Sequence, residues 1–102
     1  MGVQIWEDRW GVIEQSLTPV STAPTTTAEQ TFTVYGILPH DHVTVNPPSA
    51  TAYVGLVGVR VSAANTLALT FSNQSSAGLS SASGVYSIKV FRAEKIMTSF
   101  QT

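Results

Sequence analysis

From Glu29 onward the apolar side chains recur at every second position, a spacing that gathers them on one face of a strand but scatters them around a helix. Phe32 and Val34 alternate with Thr31, Thr33 and Tyr35, and Val43 and Val45 resume the alternation after Gly36-Ile37-Leu38-Pro39-His40-Asp41 interrupts it. In the run Gly55-Leu56-Val57-Gly58-Val59-Arg60-Val61, the three residues Val57, Val59 and Val61 are expected to point one way. Leu67, Leu69 and Phe71 alternate with Thr66, Ala68 and Thr70, and Ser62-Ala63-Ala64-Asn65 between these two runs predicts a hairpin. The last and strongest run puts Tyr86, Ile88 and Val90 inward and Ser87, Lys89 and Phe91 outward.

Glycine, proline and asparagine punctuate these runs, and no helical period competes with them. The polar stretch 73–84 reads as a loop outside the core. The expected fold is all-β: five strands in a β-sandwich of jelly-roll type. Residues 1–30 have a different character. Pro19, Pro24 and the run Thr25-Thr26-Thr27 resist helix formation, so this part is expected to be an extended N-terminal arm. The expected organisation is therefore an arm over residues 1–30, a β-sandwich body over 31–93 and a C-terminal arm over 94–102, the last carrying Ile96, Met97 and Phe100.

A chain of 102 residues suits one domain, and one of modest stability, because small domains bury a smaller fraction of their surface. The absence of cysteine rules out disulfides and thiolate metal sites as reinforcement. Association with partners is the remaining remedy, and a charged fraction of only 11% fits a surface partly covered by neighbours. The formal net charge is −1 and Arg9, Arg60, Lys89, Arg92 and Lys95 are scattered, so no nucleic-acid footprint is present. The first ten residues lack the basic start and apolar run of a signal peptide, and no apolar stretch of ~20 residues is present to cross a membrane as a helix.

Few residues suggest chemistry. His40-Asp41-His42 has metal-ligand types, and in an extended segment both imidazoles would project from one side. A pair of histidines is not a complete site, and the plainer reading has Asp41 capping a turn with both rings in water. No metal or other cofactor is expected. Arg60 is expected to face water rather than to pair across an interface. Serines are abundant, but none lies at a spacing from a histidine and an acid that suggests a triad, and no glycine-rich phosphate cradle is present, so the chain is read as non-enzymatic. Trp6 and Trp10 stand four residues apart, one helical turn, and are interface anchors or covers for an edge of the domain. The expected interface set is Ile5, Trp6, Trp10, Val12, Ile13, Phe91 and Phe100.

Four stretches carry a resemblance: 26–34 (TTAEQTFTV), 38–49 (LPHDHVTVNPPS), 57–73 (VGVRVSAANTLALTFSN) and 86–92 (YSIKVFR). Through them, residues 27–92 resemble short bacteriophage structural domains found at fibre ends and as small head-surface proteins, over about two-thirds of the chain. The chain departs from that pattern at one turn, where His40 rather than glycine precedes Asp41. The resemblance implies a trimeric, non-enzymatic virion domain. The leading expectation is a capsid decoration, or cement, protein on the outer surface of the phage head, with the major capsid protein as partner and no nucleic acid or membrane involved. The second is a receptor- or glycan-binding domain of a head or tail fibre, using Tyr35, Tyr53 or the 73–84 loop.

Overall fold

The computed structural model describes residues 9–92, with side chains from Trp10 onward. Six strands follow one another: β1 (Arg9–Leu17), β2 (Thr27–Thr33), β3 (His42–Asn46), β4 (Val54–Ala63), β5 (Thr66–Asn73) and β6 (Gly84–Arg92). They form two antiparallel three-stranded sheets, β1-β6-β3 and β2-β5-β4, with no helix among the described residues. Apart from the β4–β5 hairpin, each connection carries the chain from one sheet to the other.

Both sheets contribute to one hydrophobic core, an arrangement compatible with a β-sandwich. The central strands supply most of it: Leu67, Leu69 and Phe71 from β5, and Tyr86, Ile88 and Val90 from β6. Their alternation is the one the sequence shows, and each large side chain so buried contributes about 1.5–3 kcal/mol. Tyr86 keeps its hydroxyl satisfied inside the core, donating to the Ala82 carbonyl at 2.6 Å and lying 2.9 Å from Ser81 Oγ.

The N-terminal boundary differs from expectation. Residues 9–17, assigned by sequence to an arm over 1–30, form β1 and pair with the whole of β6 from Arg9↔Arg92 to Leu17↔Gly84. Residues 27–30 likewise belong to β2. The intervening stretch is fastened down: Gln30 donates from Nε2 to the Val20 carbonyl at 2.8 Å and accepts from the Val20 amide at 2.9 Å, imitating a strand neighbour. The expected arm over 94–102 and the first eight residues lie outside the described residues.

Two register shifts shape β4, one between Leu56 and Gly58 and one between Val61 and Ala63. The first corrects the expectation that Val57, Val59 and Val61 share a face. The bulge gives Val57 no partner on β5 and leaves it exposed, while Leu56, Val59 and Val61 pack on the core. The β4–β5 turn depends on Asn65, which adopts φ +61°, a conformation asparagine tolerates better than most residues. Asn65 also anchors the chain after β2: its carbonyl accepts from Val34, its side chain from Gly36, and its amide donates to Ile37.

Candidate docking face

Pairing register defines the outer face of the β1-β6-β3 sheet. Side chains directly opposite each other share a face, so Trp10, Phe91 and His42 form one cross-strand row and Val12, Lys89 and Thr44 the next. Glu14, Ser87 and Asn46 continue the outward set, and Ser16 faces Val85. The inward set is Gly11, Ile13, Gln15 and Leu17 on β1 with Val43 and Val45 on β3.

This outer face carries large apolar groups in water: Trp10 is 68% exposed, Val12 55% and Phe91 38%. The Lys89 ammonium sits 5.6 Å from the Trp10 ring centroid, a cation–π contact across the diagonal of the ladder. The His42 and Phe91 rings lie 6.4 Å apart and tilted. Beside β1, where Gly11 has no side chain to fill the space, a recess of about 210 Å³ opens between Ile13, Val90, Gly36 and Arg92. β1 pairs with β6 alone among the described residues, so its other edge presents free backbone donors and acceptors.

Of the expected interface set, the structure brings Trp10, Val12 and Phe91 together on this face. Ile13 is a correction. It points to the opposite side and packs against the core, because alternation puts odd positions of β1 inward. Ile5, Trp6 and Phe100 lie outside the described residues. Trp10 is on a strand, so the helical spacing that linked it to Trp6 does not apply there.

Asp41 and Arg92 are structurally engaged. Asp41 is buried, accepting from the Leu38 amide at 2.8 Å and from Arg92 through Nε at 2.7 Å and Nη2. Arg92 Nη2 also donates to the Gly36 carbonyl at 2.8 Å. The Arg92 hydrogen bonds hold the Asp41 carboxyl below its ordinary pKa, outweighing burial, with the Leu38 amide adding to the effect. This pair locks the 36–41 turn to the end of β6 beside the aromatic row. His40 and His42 are exposed, and among the described residues no group of three His, Asp or Glu side chains gathers.

Arg60 is exposed to water, as expected, but it also has a partner within the chain. Rather than facing water alone, it grips Glu29 with Nε at 2.8 Å and Nη2 at 2.9 Å, on the outer face of the other sheet. Glu29 is opposite Thr70 and Arg60 opposite Ala68, so the pair bridges β2 and β4 over β5. The 73–84 loop is also more tightly tied than its composition suggests. Asn73 is buried and donates to the Thr22 and Ala77 carbonyls, while Thr22 and Leu79 exchange backbone hydrogen bonds at 2.8 and 3.3 Å.

No protein-family model, curated protein or solved structure matches this chain.

Proposed function

We propose that this chain is a non-enzymatic structural protein of a bacteriophage particle: a capsid decoration protein that docks on the outer head surface as trimers, with the major capsid protein as its partner. The observation that carries the docking reading is the outward row of Trp10 and Phe91 with Val12 beside it, standing in water on a face with few charges. Aromatic anchors of this kind dominate interface energetics, and burying each is worth about 1.5–3 kcal/mol. The virion setting comes from the resemblance of residues 27–92 to phage structural domains. The non-enzymatic reading comes from the sequence, and it agrees with Asp41 being committed to Arg92.

In this reading the sandwich is of jelly-roll type, and residues 18–26 are what remains of the N-terminal arm within the described chain. Deleting residues 1–17 would remove a core-facing strand and is therefore no test of docking. The test is co-sedimentation of the wild-type chain and a Trp10→Ser, Phe91→Ser variant with phage heads stripped of accessory proteins, together with antibody labelling of intact particles. Regular labelling of the head, and loss of binding by the variant, are the expected results. Label confined to the tail or fibre tips would replace this reading with the receptor-binding one.

A further inference from the structure

We propose that a recess at one end of the β2-β5-β4 sheet binds a neutral saccharide. The recess, about 190 Å³, is lined by Thr25, Thr26, Thr27, Ser72, Asn73 and Gln74. It belongs to the sheet opposite the aromatic face, so the inference does not rest on the docking reading.

The lining selects the ligand class by its chemistry. Hydroxyls and amides make up every lining side chain, with no cation to receive a phosphate or carboxylate and no carboxylate to hold a metal ion. An apolar ligand would strip water from these groups without replacing their hydrogen bonds, a cost a polyhydroxylated ligand avoids.

The walls are held in place before any ligand arrives. The Asn73 amide nitrogen of the backbone donates to Thr26 at 2.9 Å, and Thr25 donates to Ser75 at 3.2 Å. The Asn73 side chain is consumed by Thr22, Ala77 and Ser75, so it supports the recess rather than reading a ligand. Free capacity lies with its neighbours. Gln74 Nε2 makes one 3.3 Å contact to Ser72 Oγ, leaving a second N–H and Oε1 available. The Thr25 and Thr26 hydroxyls donate to Pro24 and Ala23 carbonyls and keep lone pairs to accept.

Tyr53 adjoins this polar set through its backbone. Tyr53 is 69% exposed, and its carbonyl accepts from the Gln74 amide at 2.8 Å. It occupies the third position of a tight turn closed by Val54 N to Thr51 O, with φ +66°, where glycine or asparagine would sit without strain. Thr25, a β-branched residue in the recess wall, has φ +52°. Of the three non-glycine residues with positive φ among the described residues, Thr25 lines the recess and Tyr53 bonds through its carbonyl to Gln74 of the lining. Hydroxyl and amide groups of this kind match the hydroxyls of a sugar, each of which can both donate and accept.

The test is two-dimensional NMR of the 15N-labelled full chain titrated with glucose, galactose, N-acetylglucosamine and β-linked oligomers of each. At least one should bind with a Kd in the ~mM range or tighter, moving the amides of residues 25–27, 53 and 72–74. Tyr53→Asn, which keeps a residue suited to positive φ, and Gln74→Ala, which keeps the backbone bond to Tyr53, should each weaken binding roughly fivefold or more without lowering the thermal midpoint. Silence from the whole panel up to tens of mM, shifts confined to the Trp10 face, or undiminished binding by both variants would overturn the proposal.

Discussion

Arg92, the last residue of β6, closes on the Asp41 carboxylate with two of its nitrogens across 51 residues of chain, and the Asp41 side chain is 1% exposed. Because the Arg92 contacts stabilise the charged carboxylate, its pKa in the folded chain lies below the ordinary value of 3.8. The unfolded chain therefore takes up this proton first as the pH falls. The stabilisation is complete above the ordinary value and is lost as the pH drops through the folded-state pKa. Urea unfolding followed from pH 7 to pH 2 should show this acid loss, and Asp41→Asn should flatten it.

Removing the carboxylate at neutral pH leaves the Leu38 amide without its acceptor and takes two hydrogen bonds from Arg92, which keeps the Gly36 carbonyl. A fully buried pair broken in this way costs 3–5 kcal/mol, but Arg92 is partly exposed and water can take over some of its bonds, so Asp41→Ala should cost about 2 kcal/mol. The Glu29–Arg60 pair makes a contrast. It has equally good geometry but lies open to solvent.

The aromatic face and the core should separate cleanly in stability measurements. Leu69→Ala, deep in β5, should cost about 3 kcal/mol through lost burial and the cavity left behind. Trp10→Ser, on an exposed side chain, should change the unfolding midpoint little, because the row it belongs to has no covering layer among the described residues. Chemical denaturation of the two variants checks both.

Thr25 is the place where stability should rise. Asparagine accepts the φ +52° backbone that a β-branched residue resists, so Thr25→Asn should stabilise the chain by about 1 kcal/mol. A higher thermal midpoint with an unchanged NMR spectrum of the core is the expected result.

Tyr86→Phe isolates one buried hydroxyl. The ring remains in the core, but the Ala82 carbonyl loses its 2.6 Å donor and Ser81 its neighbour, so destabilisation of about 1–2 kcal/mol is expected in equilibrium unfolding.

The two central strands were the most legible part of the chain, since β5 and β6 carry apolar residues on one side without interruption. β1 was hidden because its two faces look alike in sequence. Glycine and glutamine at positions 11 and 15 dilute the inward set, while Trp10 and Val12 enrich the outward one. Only the register against β6 separates them. Val57 was misplaced because an unpaired bulge residue reverses the parity of everything on one side of it, and no residue type announces it. Phe91 was legible as an outward aromatic by parity alone. The Asp41–Arg92 and Glu29–Arg60 pairs were not, because each joins residues far apart in sequence whose meeting depends on strand order.

The strand order also dictates when pairing can begin on the ribosome. Among the described residues β1 and β3 find partners only in β6, and β2 only in β5, so the first three strands emerge with no described strand to pair against. The β4–β5 hairpin is the first ladder available, β2 can join it at once, and the other sheet waits for the final strand. Translation must therefore pass residue 92 before Trp10 and Ile13 are sorted onto opposite faces. Until then the nascent chain displays β1 and β3 unpaired, with Trp10, Val12 and Ile13 uncovered, and a pause placed late in translation should be the costliest for its yield.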